Sequence, residues 1–519
     1  NYYQYRSGMT VNELDDINLG DVSTTEATGG RNSNGMVSYL GRANYDYKGI
    51  YLLEGLFRRD GSSKFDSEHR WANFAGVSGG IRFSELSFIK GLNFFDNLKL
   101  RGSYGETGSQ AGISNYYVSS ISTGTAIFGT SPAKYTNSYI SGMTTADKTW
   151  ERIATTNVGL DFAMLKNRLS GSFEYYIRKN KGMLIKRTYP STLGTTAATT
   201  NSGDFRANGW ELQLNWNDKI GNDFNYHVGF SLADAKTKVT KYLGAVAISS
   251  GLNNRVISNG GSTSMIGTNS TILSNNASFI EGKPLNAIYI YRTSGFLQSW
   301  DEVNAYYTKY AASGNGLIPA QNTNNQLTPG CVNRIDTNGD GKITTDDLDY
   351  YGDANPHFNF GINLGASYKQ FDFSMFIQGV GQQYVVREGQ LSSPWYSGWT
   401  NQNSTFYGNC WTESNTNARY PIMSRNGSRN TWNYKNYNDI NVSNCWYARA
   451  KNVVLGYTLP KVLIRNAGLE NLRLYVSADN LFEISNVKDG FDPEATAATG
   501  QGNVDVYART VTFGIDLTF

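Results

Sequence analysis

Period-two alternation of apolar and polar residues, repeated from one end of the chain to the other, constrains its fold more than any other feature. In the last segment Val511, Phe513, Ile515, Leu517 and Phe519 share one face, and Thr510, Thr512, Gly514, Asp516 and Thr518 share the other. The run before it sets Leu472, Leu474, Val476 and Ala478 against Arg473, Tyr475, Ser477 and Asp479. Similar runs fall at 98–104, 158–162, 226–232 and 360–368. Successive side chains of a strand point to opposite faces, so each run predicts a strand with one apolar and one polar side. In one of them Trp210, Leu212, Leu214 and Trp216 oppose Glu211, Gln213, Asn215 and Asn217. At ~3.3 Å per residue the two tryptophans stand about 20 Å apart. That spacing suits an apolar band edged by an aromatic at each membrane interface.

A soluble antiparallel sandwich also alternates, with its apolar face packed inward. The connections argue for the membrane. Short turns at 47–49 and 166–167 contrast with long polar stretches near 109–147, 240–282, 298–354 and 381–445. Short periplasmic turns and long extracellular loops give an outer-membrane barrel that rhythm. About fourteen strands are predicted in all. Composition agrees once this geometry is allowed for. The mean hydropathy of −0.44 would suit a soluble protein, but only alternate residues of a barrel strand touch lipid. No apolar run approaches the ~18 residues that a spanning helix needs.

Charge and cysteine usage exclude other classes. The net charge is +3 with no long basic run, so no nucleic-acid partner is expected. His69, His227 and His357 lie far apart, and Cys331, Cys410 and Cys445 lack CxxC spacing, which argues against a zinc site. Cys410 and Cys445 border the last long loop and could close a disulfide in an oxidising compartment, although the odd cysteine count leaves the pairing open. Gly76-Val77-Ser78-Gly79-Gly80 matches the G-x-S-x-G of a hydrolase elbow. It lies inside a predicted strand with no helix after it, so the nucleophile is discounted and no enzyme is expected.

The most specific local motif runs from Asp336 to Asp347, DTNGDGKITTDD. Asp336, Asn338 and Asp340 place short oxygen side chains on alternate residues, Gly341 permits a sharp turn, and the Lys342 carbonyl and Asp347 complete a shell suited to Ca²⁺. A structural calcium ion is therefore expected, held more weakly than in a loop whose twelfth residue is Glu. The loop after residue 381 is crowded with aromatics among Asn and Ser: Trp395, Tyr396, Trp399, Phe406, Tyr407, Trp411, Trp432, Tyr434 and Tyr437. Of these, Trp395, Tyr396, Trp399 and Trp411 are the expected substrate-binding residues, since ring faces and amides suit sugars and peptide backbones. Loop-on-loop packing is the competing reading for each.

Several ordered segments carry a resemblance. They are YKGIYLLEGLFRRDGSSKF at 47–65, WANFAGVSGGIRFSE at 71–85, LKLRGSYGETGSQ at 98–110 and NVGLDF at 157–162. DTNGDGKIT, FDFSMFIQG at 371–379, YARAKNVVLGYTLP at 447–460, SADNLF at 477–482 and the terminal Phe519 follow in the same order. Together they resemble the SusC/RagA family of TonB-dependent outer-membrane transporters. The resemblance implies an all-β transmembrane barrel of roughly 22 strands with a plugged lumen. It also implies a SusD-like surface lipoprotein as lid, TonB acting through the plug, and glycan or peptide as substrate. A terminal aromatic such as Phe519 matches the assembly signal of such barrels. No plug-like segment precedes the first strands, so residues 1–519 are expected to be the C-terminal part of a longer barrel protein. Energised import is the leading function. A structural or assembly subunit that keeps the barrel without transport is the alternative.

Overall fold

In the computed structural model the described residues are 34–111, 145–186, 198–242, 281–310, 317–344, 347–386, 404–435, 438–465, 468–487 and 507–519, with short pieces between them. Their backbone is dominated by one 14-stranded antiparallel sheet. Its continuous wall is formed by β1 (Met36–Tyr47), β2 (Tyr51–Ser62), β3 (Trp71–Arg82), β4 (Phe95–Ser109) and β5 (Glu151–Met164). It continues through β6 (Leu169–Lys186), β7 (Thr199–Ile220), β8 (Phe224–Tyr242), β9 (His357–Tyr368) and β10 (Phe371–Gln382). β11 (Tyr447–Thr458), β12 (Asn471–Asp479) and β13 (Thr510–Thr518) complete it. Every strand pairs with its sequence neighbour in this series, and the short strand Glu483–Ser485 adds to β11 alone. Among the described residues β1 and β13 do not pair, so the wall is open along two edges.

Local chemistry sets the short turns at one end. Lys48 and Gly49 both take positive φ, +57° and +67°, as the two central residues of a type I′ hairpin must. Asp46 Oδ1 accepts the Gly49 N–H at 2.6 Å. The turn after β5 holds Leu165, Lys166 and Asn167 at φ near +60°, with the Asn167 N–H donating to Asp96 at 2.7 Å.

Register fixes which residues share a face. Tyr175 lies opposite Trp210, and Phe173 opposite Leu212; Leu214 meets Phe230 and Trp216 meets Val228. At the far edge Leu474 faces Ile515, and Val476 faces Phe513. This outward face stays exposed: Phe513 is 79% accessible and Ile515 64%. An apolar surface of that extent belongs in hydrocarbon, and the wall is a transmembrane β-barrel wall of the outer membrane. Aromatics edge it at the turn end, where Phe224 stacks on Tyr226 at 5.8 Å and Phe371 packs on Tyr457 at 4.8 Å. Toward the other end Tyr39 stacks on Trp71 at 6.0 Å and Phe173 on Trp210 at 6.5 Å. Gly76–Gly80 lies within β3, where Gly80 leaves room for the Lys99 side chain; a strand interior offers no nucleophile elbow.

The structure settles the pairing that the sequence left open: Cys410 and Cys445 form no disulfide. Both thiols are buried, in separate surroundings. The Cys410 thiol lies 3.7 Å from the Tyr434 hydroxyl, and the Cys445 thiol lies 3.9 Å from the Ser443 carbonyl.

Candidate functional site

Two surfaces make up the candidate site. The first is the inward face of the wall. Alternation turns Arg101 to that side from β4, where it meets Asp161 of β5 at 3.0 Å and Glu174 of β6. Arg473 of β12 bridges Asp372 of β10 at 2.6 Å and Asp516 of β13 at 3.0 Å. Arg42 of β1 pairs with Glu54 of β2 at 2.6 Å. A cleft of about 500 Å³ opens on this face among Glu54, Ser78, Lys99, Arg101, Ser103 and Asn157. These charges need water or protein opposite them, so this side is the lumen.

The second surface is a cap built from the two long insertions, β8–β9 and β10–β11. Ala287–Tyr291 pairs with Leu348–Asp353, Thr293–Phe296 with Val332–Arg334, and Tyr384–Val386 with Val442–Asn444. The helix Trp300–Tyr310 buries Val303, Tyr306, Tyr307 and Tyr310 against Leu327, Val332, Ile343 and Trp432. At its centre the buried Arg334 guanidinium lies between the rings of Trp432, at 3.8 Å, and Tyr291, at 4.1 Å. Arg334 also donates to Asn438 Oδ1 at 2.8 Å and to the Trp432 carbonyl at 2.9 Å. Burial pushes this guanidinium down to about 10, and the stacked rings and carbonyls offset part of that cost. Where cap meets wall, His357 contacts Asp234 of β8 at 2.7 Å and Asp353 of the cap at 3.3 Å.

The calcium-like loop is a strut of this cap. Gly339 and Gly341 take φ of +79° and +78°, a conformation that only glycine adopts without strain. Asp336 accepts the Gly339 and Gly341 N–H groups at 2.7 and 2.8 Å. Asn338 accepts the Asp340 N–H at 2.9 Å, and Asp340 accepts the Lys342 N–H at 2.9 Å. Asp347 is fully buried and accepts the Thr337 and Thr344 N–H groups at 2.9 and 2.7 Å; burial pushes its carboxyl up to about 6. The turn is that of a hand-type loop, but its oxygens point at backbone amides. Among the described residues no three acidic, His or Cys side chains converge as metal ligands.

The aromatic expectation divides. Trp395, Tyr396, Trp399 and Tyr437 lie outside the described residues. Trp411 is 4% exposed, with its indole N–H donating to Gln298 at 3.0 Å, so it packs inside the cap. Phe406, Trp432 and Tyr434 are buried too, whereas Tyr407 is 87% exposed. Sequence reasoning missed Arg334 and His357 as joints of the cap. Arg334 meets partners about a hundred positions away, and no local spacing announces such contacts.

No protein-family profile matches the chain. It is 27% identical to TonB-dependent receptor P3 of Formosa agariphila, over 98% of this chain and 48% of that protein. It is also 27% identical to the TonB-dependent receptor SusC of Bacteroides thetaiotaomicron, over 96% of this chain and 45% of that one. Among solved structures, the RagAB peptide transporter superimposes with a TM-score of 0.72 at 21% identity, over 98% of this chain and 50% of that chain. The chain thus spans about half the length of the curated relatives it matches.

Proposed function

We propose that this chain, which is of the SusC/RagA type of TonB-dependent outer-membrane transporter, forms the wall and cap of an importer of oligosaccharides or peptides. The observation that carries the reading is the pairing of a charged lumen face with a folded cap above it. The two open edges would be joined by further strands of the intact protein, because unpaired backbone groups are costly in lipid. A plug within that protein would close the lumen and receive TonB, since a wide barrel without one leaks. A SusD-like lipoprotein would cover the cap.

SusC is named a TonB-dependent receptor and RagAB a peptide transporter, so both cargo classes stay within the proposal. In this reading one Ca²⁺ on Asp336, Asn338, Asp340, the Lys342 carbonyl and Asp347 would stiffen the cap, outside the transport step. Binding would require those oxygens to exchange backbone amides for the ion.

Uptake tests the reading. Cells with the intact gene should accumulate labelled oligosaccharide or peptide, lose it on deletion, and lose it equally when TonB is removed. A SusD-type lipoprotein should copurify in mild detergent. Unchanged uptake of both cargo classes, with barrel-dependent assembly of another outer-membrane complex, would favour the structural role.

A further inference from the structure

A row of positive charge lies on the outward face of the wall, away from the lumen. Lys179 of β6 stands directly opposite Arg206 of β7, and Arg206 stands directly opposite Lys238 of β8. Three cations thus occupy one cross-strand row on three adjacent strands. Each lies an even number of residues beyond the outward Tyr175–Trp210 pair, so all three share the lipid-side face. Lys236 lies two residues before Lys238 on that face, and Lys181 two residues beyond Lys179.

Like charges placed directly opposite one another destabilise a sheet. Of the neighbouring acids, Asp234 is held by His357 at 2.7 Å, Glu106 pairs with Arg152 at 3.2 Å, and Asp204, two residues from Arg206 on the same face, keeps its charge while accepting the Gly182 N–H at 2.9 Å; among the described residues none of them forms an ion pair with the row. The Arg206 guanidinium donates only to the neutral Asn208, at 2.8 Å. Lys179, Lys181, Lys236 and Lys238 are exposed, and among the described residues none of these five cations has a carboxylate partner.

Position along the strands indicates which anion such a row would meet. The row lies four residues beyond Trp210, about 13 Å along the strand, or roughly 10 Å above the aromatic girdle once barrel tilt is allowed for. That is the headgroup layer, on the side of the wall that carries the long insertions and hence the outer leaflet. Between the row and the girdle the same face carries Ile177, Asn208 and Lys236, and the girdle row itself is Tyr175, Trp210 and the buried Asp234.

We propose that Lys179, Arg206 and Lys238, flanked by Lys181 and Lys236, form a binding site for the phosphorylated headgroup of outer-leaflet glycolipid. Phosphate oxygens would bridge the row, and Arg206, central and half-buried, would supply the bidentate contact. The site is independent of whether cargo moves through the lumen.

The test uses the full-length protein, delipidated in detergent and titrated by native mass spectrometry with purified bisphosphoryl lipid A, its dephosphorylated form and phosphatidylglycerol. The wild type should bind bisphosphoryl lipid A about tenfold or more tightly than either other lipid. The Lys179→Ser/Arg206→Ser/Lys238→Ser variant should lose that preference while keeping the heat-modifiable gel shift of a folded barrel. The Lys179→Arg/Lys238→Arg variant should retain it. Equal binding by the wild type and the triple variant would overturn the site, as would indifference to the phosphates or equal affinity for phosphatidylglycerol. A photo-crosslinker at position 238 should capture glycolipid in whole outer membranes, and capture of a polypeptide instead would also overturn the proposal.

Discussion

Wall and cap are both rich in aromatics, yet they are held together in opposite ways. In the wall Phe513 and Ile515 lie open on the surface, and stability rests on the backbone ladder with lipid as the apolar phase. In the cap Trp432 and Tyr291 are almost wholly buried, and a single guanidinium ties segments about a hundred residues apart. The membrane spares the wall from needing an interior core. The cap stands in water and must build one.

The largest expected effect lies in the cap. Trp432→Ala removes the ring that covers Arg334 and fills the main cluster, and should cost ~3–5 kcal/mol. Hydrogen exchange should rise across 287–353 and 404–444 while β6–β8 stay protected. Loss of protection in the wall at the same time would erase the distinction between the two regions.

The wall answers to a different substitution. Ile515→Arg puts a charge in mid-membrane and should cost ~2–4 kcal/mol, seen as reduced heat-modifiable barrel in outer-membrane fractions. Thr512→Arg points to the lumen and should assemble nearly normally. Equal tolerance at the two positions would refute the facing assignment.

Two smaller effects sharpen the comparison inside the cap. Gly341→Ala forces a side chain into left-handed backbone and should cost ~1–2 kcal/mol, read as faster proteolysis near the loop; an unchanged digest would deny that its φ matters. Millimolar calcium should stabilise the cap by only about 1 kcal/mol, given the weak affinity of extracellular sites and the amide contacts to be displaced. Asp336→Asn should abolish that increment. A cap whose melting ignores calcium altogether would remove the ion from the account.

Legibility in the sequence follows the same division. The wall could be read because each face needs only its own alternation: Trp210 to Trp216 gave facing and span, and Leu472 to Ala478 gave a strand later found in register with β13. The cap could not, because its order lies in contacts between distant segments. The aromatics after residue 381 looked like a binding surface, yet Trp411 and Trp432 serve the interior. The motif at 336–347 was legible as a turn through its glycines and short acids. Nothing in its spacing foretold that Asp347 would be spent on the amides of Thr337 and Thr344. The row Lys179–Arg206–Lys238 is visible only once register joins three strands.

The central proposal is that this wall, whose edge strands β1 and β13 do not pair with each other among the described residues, is one part of a larger lipid-facing barrel. The most direct measurement is a cryo-electron microscopy map of the intact protein in lipid nanodiscs. The account predicts that β1 and β13 each pair with a strand from outside residues 1–519, in a barrel of roughly 22 strands around a plug. A barrel closed by β1 pairing with β13, its lumen filled by this chain's own loops, would contradict it.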